Sequence, residues 1–200
     1  MKKIRKVYSK ILKKKNEGNT AIAILSLFTI ILIGLFGMFI LFHQVLVSRA
    51  EGVQDDVTLS NLATYKNIDQ QALAINNSDL RITDAEGAFE TFKQYLQKNM
   101  RLDSNMNGLS DSVADGTVTI KEFTIYNVKE NDVEIFTYSD NTHIFVMNEV
   151  KDKNIGIVKT VNNAIVKNTT VHATIQYNID LMFSNKKEVT TSVGTDLVKN

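Results

Sequence analysis

The strongest pattern along the chain is an unbroken run of uncharged, mostly apolar residues near its start. Ala21 to Phe42 contains 22 residues without a charge. As a helix this run would extend about 33 Å, which is enough to cross a hydrocarbon core of roughly 30 Å. A soluble core helix would carry a polar stripe, and this run has none. The pattern predicts a transmembrane helix over residues 19–46.

Apolar residues continue at helical spacing beyond the run. A ragged stripe with spacings of three to five residues is formed by Ala50, Val53, Val57 and Leu62. It predicts that the helix continues to about Thr64, within a helical extension over residues 47–78. A second helix is predicted to begin at a capping box of Thr83 and Glu86. Its apolar face is formed by Phe89, Phe92, Leu96 and Met100.

The remaining sequence is dominated by strand patterns. The stretches "GTVTIKEFTIYNV" and "DVEIFTYS" flank a polar turn at residues 129–131 and predict a hairpin, which "THIFVMNEV" extends. Seven apolar residues alternate with polar ones from Val171 to Phe183, which predicts a strand with one buried and one wet face. We expect "KKEVTTSV" to pair beside it through a turn at Ser184–Lys186. Residues 153–167 fit either two short strands or a helix.

These elements predict an α+β fold, in which a long transmembrane helix continues into a domain with a short helix and an antiparallel sheet. The predicted organisation is a basic cytoplasmic leader over 1–18, the span, the helical extension and an α+β ectodomain over 79–200. The alternative of a removed secretory signal, cut before Glu51, is disfavoured because the apolar run exceeds the usual 7–15 residues of such signals.

Charge is distributed very unevenly between the tail and the rest of the chain. Residues 1–18 carry eight Lys or Arg and one Glu, whereas residues 19–200 carry 15 basic and 21 acidic groups. The basic tail precedes the span, so it predicts a cytoplasmic N-terminus and an extracytoplasmic C-terminal domain in the cell membrane. Because the positive charge is confined to this tail, we expect no nucleic-acid partner.

Motifs for catalysis are missing from the sequence. No GxSxG, HExxH, P-loop or dinucleotide-binding motif occurs, and cysteine is absent. His172 falls on the polar face of a predicted strand, where we expect it to be exposed. The sequence therefore predicts a protein that is not an enzyme.

One stretch, "DSNMNGLSD", has the spacing of the first part of a calcium-binding loop. Oxygen-bearing side chains occupy positions 1, 3, 5 and 9, in the form of Asp103, Asn105, Asn107 and Asp111. Gly108 stands at position 6, but Ala114 replaces the bidentate Glu of position 12, so calcium would bind weakly. The alternative is a polar connection in which Asn and Asp form turns. Both interpretations stay open, and no other cofactor is predicted.

The N-terminal plan resembles type IV pilins and, more closely, the TadE-like pseudopilins of tight-adherence (Tad) pilus systems. The matching features are the leader "MKKIRKVYSKILKKKNEG", the apolar helix that begins at once, and the extension "RAEGVQDDVTLSNLATY". The short helix, the "RLDSNM" loop and the "VTIKEFTIYNV" hairpin are similar to those of exported TadE-like proteins of Gram-positive bacteria. A prepilin peptidase cuts such proteins after the glycine, which here implies a cut between Gly18 and Asn19.

The resemblance implies a minor component or assembly factor of a surface pilus or related secretion apparatus. Its partners would be the lipid bilayer, other pilin-like subunits and the assembly machinery. Major pilins carry Glu five residues after the cut, whereas this chain has Ala23, which favours an accessory role. Within the assembly helix, from Ala21 to Phe42, the small or weakly polar residues are Ser26, Thr29, Gly34 and Gly37. They either admit another helix or are ordinary residues of a single-pass anchor, since the two glycines are three residues apart rather than the four of a GxxxG motif. The rival interpretation is a membrane-tethered extracytoplasmic binding domain with calcium as a candidate ligand.

Overall fold

The computed structural model describes residues 2–76, 79–152, 158–181 and 186–197, with side chains from residue 19 onward. The chain divides into two compact units, Met1–Ser48 and Arg49–Asn200. The architecture is α+β, because a long apolar N-terminal helix is followed in the sequence by a five-stranded antiparallel sheet. The predicted fold class is confirmed at this level.

Helix α1 runs from Lys2 to Ala63 and is followed by a 3-10 turn over Thr64–Asn67. The predicted continuation of the apolar helix to about Thr64 is therefore confirmed. The buried stripe differs from the predicted one, because Val53 and Val57 are buried whereas Ala50 and Leu62 are exposed. Two polar residues, Ser60 and Asn61, occupy buried positions on this part of the helix.

Two shorter helices follow, α2 over Gln70–Ile75 and α3 over Ala85–Asn99. The N-cap of α3 is Asp84, whose carboxylate accepts a hydrogen bond from the backbone N–H of Gly87 at 2.8 Å. The capping box predicted at Thr83 is thus wrong by one residue, because the better N-cap of two adjacent candidates begins the helix. The apolar face is as predicted, with Phe92, Leu96 and Met100 buried and Phe89 partly buried.

Five strands form one sheet in the spatial order β3-β2-β1-β4-β5, and every neighbouring pair is antiparallel. The strands are β1 Thr119–Lys129, β2 Asp132–Ser139, β3 Phe145–Val150, β4 Thr170–Asp180 and β5 Lys186–Asp196. The predicted hairpin is confirmed, since Lys129 pairs with Asp132 across a two-residue turn. Its first turn residue, Glu130, has a φ of 52°.

Strand β4 confirms the predicted alternating strand as far as Asp180, and β5 pairs beside it from Lys186. The end of the predicted strand at 182–183 and the turn at 184–185 lie outside the described residues. One face of β4 packs in the core through Val171, Ala173 and Ile175. The other face is buried at Thr170 and His172 and becomes exposed only towards Asp180. A second buried cluster consists of Tyr126, Val133 and Val166.

The segment that fitted either strands or a helix is strand-like where the structure describes it. Lys159 and Ile165 form an isolated antiparallel bridge, and Thr160 N donates to Ala164 O at 2.8 Å. Residues 153–157 lie outside the described part of the chain. The described part is a tight hairpin rather than a helix.

The core of the second unit lies between one sheet face and two helices. Phe123 and Ile125 of β1 belong to the same buried cluster as Val57 of α1 and Phe92 of α3. Helix α1 is also tied to the edge strand β5. The Asn61 Nδ2 donates to Val193 O at 3.1 Å, and the Tyr65 hydroxyl, just after α1, donates to Thr195 O at 2.6 Å.

A buried amide connects β1 to the segment before α3. The side chain of Asn127 is fully buried and pairs with both backbone groups of Ile82. Its Nδ2 donates to Ile82 O at 2.8 Å, and its Oδ1 accepts from Ile82 N at 2.9 Å. The Asn127 side chain thus supplies the two hydrogen bonds that a neighbouring strand would otherwise make with the N–H and C=O groups of Ile82.

Candidate membrane and assembly surface

Helix α1 exposes apolar side chains on every face between Asn19 and Ser48. Leu25 and Phe39 are each 67% exposed, and mean hydropathy along the helix reaches 2.8. Within the described part of the chain this is the one helix long and apolar enough to cross a membrane. Apolar surface of this extent is unfavourable in water, so it calls for lipid or for other apolar helices as its surroundings.

The structure places the predicted assembly residues on different sides of this helix. Because successive residues are about 100° apart, Ser26, Gly34 and Gly37 share one face, whereas Ala21 and Phe42 lie on the opposite side. A side chain added at Gly34 or Gly37 would meet no atom within 4 Å. No contact among the described residues therefore accounts for the glycines on this face.

The weakly polar Thr29 is satisfied within the helix itself. Its hydroxyl donates to the backbone carbonyl of Leu25 at 2.9 Å. A hydroxyl bonded in this way can enter an apolar environment without leaving an unpaired donor. Thr29 is therefore compatible with lipid and does not need a partner helix.

The face that carries Ser26, Gly34 and Gly37 is a mixed one. Ala23, Gln44 and Ser48 also lie on it, but the bulky Ile30 and Leu41 lie on it as well and interrupt the small residues. The opposite face is bulky and contains Phe28, Leu35, Phe39, Phe42 and Leu46. The two faces therefore differ in their content of small residues, and the stretch around Gly34 and Gly37 is where a second helix could approach most closely.

The candidate cut between Gly18 and Asn19 lies inside α1, which is helical on both sides of it. Asn16, Gly18 and Asn19 are all poor helix formers, so the helix is intrinsically weakest at this point. For a peptidase that needs an extended backbone, the free-energy cost of unwinding the helix would be lowest here. Cleavage itself stays a prediction.

The candidate calcium loop forms a compact turn around one carboxylate. Asp103 Oδ1 accepts from the backbone N–H of Asn105 at 2.9 Å and of Asn107 at 2.8 Å. Its Oδ2 accepts from Asn107 Nδ2 at 3.2 Å. These hydrogen bonds lower the pKa of Asp103. Asp103 thus has the turn-forming role that was the alternative to calcium.

Two of the other proposed ligands of this loop, Asn107 and Asp111, also have protein partners, whereas among the described residues only the backbone N–H of Asn105 is bonded. Asn107 Oδ1 accepts from the Thr117 hydroxyl at 2.6 Å, and Asp111 forms an ion pair with Arg101. The described residues contain no cluster of three or more His, Asp or Glu that could hold a metal ion. Calcium binding therefore stays a prediction, and it would have to displace several of these bonds.

His172, which we expected to be exposed, is completely buried on β4. Its Nε2 lies 3.2 Å from Ser192 Oγ, which in turn lies 2.9 Å from Thr174 Oγ1. Burial lowers the pKa of His172, and the negative charge of Glu122 partly opposes this effect. The expectation was wrong because the sheet face that carries His172 is closed to water, and its neighbours Thr124 and Thr170 are buried as well.

The contact between Ser192 and His172 does not have the geometry of a catalytic triad. In a triad a carboxylate orients the second ring nitrogen of the histidine. His172 Nδ1 is buried and has no hydrogen-bond partner among the described residues. The adjoining hollow of about 350 Å³ is lined by polar groups of Thr170, Ser192 and Asp196. The pair is therefore best described as a packing contact of the sheet.

Comparisons with known proteins add no relative to this description. No protein-family model matches the chain, and searches of curated proteins and of solved structures find no significant match.

Proposed function

We propose that this chain is a single-pass membrane protein of the pilin-like, TadE-like type. It acts as a minor component or assembly factor of a surface pilus or related secretion apparatus, and it is not an enzyme. The observation that carries the proposal is the uncharged stretch of α1 from Asn19 to Ser48, whose large apolar side chains are mostly exposed. A soluble domain would bury such a helix, and this chain does not.

The charge distribution supports one orientation of the span. Eight basic residues and one acid precede Asn19, whereas the chain beyond it is net acidic. Positive residues next to a span stay in the cytoplasm, which places Arg49 and the sheet unit outside. The second unit, which contains the sheet, has its own buried core, so its packing requires neither disulfides nor the span.

The two faces of the span support assembly with other helices. An all-apolar helix can move between lipid and a bundle of neighbouring helices, because both surroundings exclude water. Small residues let a second helix approach closely, and here the stretch around Gly34 and Gly37 offers such a place on one side of the span. The bulky side, which contains Phe28 and Phe39, remains in contact with lipid in the membrane.

The mature N-terminus distinguishes the proposal from its rivals. Mass spectrometry of the full chain, expressed with a prepilin peptidase, is expected to give Asn19 as the first residue. Gly18→Leu should abolish this product, whereas the control Gly52→Leu, in an open position on the same helix, should not. A start at Met1 would support a tethered domain instead. A start at Glu51 would mean a secreted protein and would contradict the proposal.

Cross-linking tests the assembly face, and the absence of cysteine from the chain makes each introduced thiol unique. In membranes of cells that build the apparatus, Gly34→Cys labelled at its thiol with a maleimide photo-cross-linker should cross-link to a neighbouring pilin-like helix on illumination. The matched variant Leu35→Cys, labelled in the same way on the bulky side, should give far less cross-linked product. Equal yields from the two variants would show that the small-residue face is not used.

A further inference from the structure

The first fifteen residues carry an apolar stripe on a helix that is otherwise basic. Helix α1 begins at Lys2, and apolar residues then recur at spacings of three, one, three and one. These positions are Ile4, Val7, Tyr8, Ile11 and Leu12. At about 100° per residue they fall within an arc of roughly 140° on one side of the helix.

The basic residues occupy the remaining circumference. They are Lys2, Lys3, Arg5, Lys6, Lys10, Lys13, Lys14 and Lys15. Only Lys15, at the end of the segment, falls within the apolar arc. The single acid, Glu17, follows the segment in the sequence. A signal for membrane orientation requires the positive charge but not an apolar stripe of helical period. The stripe therefore calls for a separate explanation.

We propose that residues 2–15 form an interfacial helix that lies on the anionic cytoplasmic leaflet of the membrane. The apolar stripe enters the boundary of the acyl chains, and the lysines contact acidic lipid headgroups. Two observations select lipid as the partner. The eight cations complement a negatively charged surface, and the segment ends four residues before the membrane span. This inference rests on the proposed span.

The interfacial position requires a bend between the leader and the span. Asn16, Gly18 and Asn19 have low helix propensity, so α1 bends there more easily than elsewhere nearby. Such a bend opens the backbone hydrogen bonds around the bond between Gly18 and Asn19. The lipid-bound leader would thus present the candidate cut in a conformation that a peptidase can enter.

The test uses two single-cysteine variants of the full chain, Ile11→Cys on the apolar stripe and Ser9→Cys on the opposite side. Each carries an environment-sensitive fluorophore and is reconstituted in phosphatidylcholine vesicles with or without phosphatidylglycerol. With the anionic lipid, the label at position 11 should be quenched by lipid-attached nitroxide and the label at position 9 by aqueous iodide. Without it, both labels should be accessible to iodide.

A charge variant and an integration control complete the experiment. Lys6→Gln, Lys10→Gln and Lys13→Gln together should weaken the interfacial state by roughly a hundredfold, at about fivefold per lysine. Equal exposure of both labels in anionic vesicles would overturn the inference, and an acidic protein would then be the better partner for the basic face. Resistance of the protein to alkaline extraction is measured in parallel. Loss of integration would contradict the proposed span, whereas an integrated protein with an exposed position 11 contradicts only the interfacial helix.

Discussion

The buried amide of Asn127 makes a strong prediction about stability. Asn127→Asp replaces the group that donates to Ile82 O with an oxygen, while the acceptor for Ile82 N remains. When the new carboxyl group is protonated, its O–H can donate to Ile82 O, so the variant should resemble the native protein at low pH. When the carboxyl group is ionised, a buried charge faces a carbonyl oxygen, and the domain should lose stability.

The expected loss in the free energy of unfolding follows from the burial of Asn127 and from the number of hydrogen bonds that each variant removes. Leaving a buried donor or acceptor unpaired costs about 1–3 kcal/mol per group, so Asn127→Ala should lose roughly 2–5 kcal/mol at any pH. For Asn127→Asp, burial raises the folded-state pKa above the unfolded value of about 4. Stability is then present below that value and is lost as pH rises, by about 1.4 kcal/mol per unit until the folded-state pKa is reached.

Thermal unfolding of the full chain in mild detergent, followed by the near-ultraviolet circular dichroism of its tyrosines, measures this effect at several pH values. The control is Asn148→Asp, which makes the same substitution at an exposed position on β3. The control should track the native protein throughout. If Asn127→Asp also tracks the native protein at pH 8, the amide does not hold the Ile82 segment and the reasoning fails.

Three further predictions concern the second unit. Burial, reinforced by the charge of Asp55, raises the pKa of Asp56 to about 6; the folded-state value exceeds the unfolded one, so stability falls between about pH 4 and 6. Asp56→Asn should therefore raise the free energy of unfolding at pH 7 by about 1–2 kcal/mol, after allowance for the partial exposure of Asp56, and so raise the melting temperature; Glu51→Gln, an exposed control on the same helix, should not. Glu130→Gly removes the strain of a positive φ in the β1–β2 turn and should stabilise by about 1 kcal/mol in denaturant unfolding, and a loss of stability would contradict that account. Millimolar calcium should leave the melting temperature unchanged, because the loop oxygens of Asp103 already accept three hydrogen bonds; a rise that Asp103→Asn abolishes would show that calcium binds.

Periodic patterns account for the part of the fold that the sequence predicts well. The β1–β2 hairpin and the start of β4 carry alternating runs, and their register follows from that alternation. Helix α1 was predictable for another reason, namely its long uncharged apolar run. The cap of α3 was misplaced because Thr83 and Asp84 are adjacent and both can cap a helix. Local propensity predicts the first residue of such a helix only to within one or two positions.

Long-range contacts account for the part that sequence reasoning missed. Asn61 is buried because it reaches Val193, 132 residues later, and a polar residue on a helix shows no sign of such a partner. His172 is buried on a sheet face where the polar residues Thr124 and Thr170 are buried too. A hydropathy pattern assigns Asn61 and His172 to the surface, because it contains no information about burial by distant segments or about long-range hydrogen bonds.

The contacts of Asn61 and Tyr65 with β5 have a consequence for how an exported chain could mature. Strand β1, at the centre of the sheet, pairs with β4, and the hydrogen-bond partners of residues 61 and 65 are supplied by residues 193 and 195. If the domain beyond Arg49 is exported as proposed, with the N-terminus kept in the cytoplasm, these partners cross the membrane last. Until about residue 195 has crossed, the sheet would lack its edge strand β5, so the domain would complete its fold only after the passage.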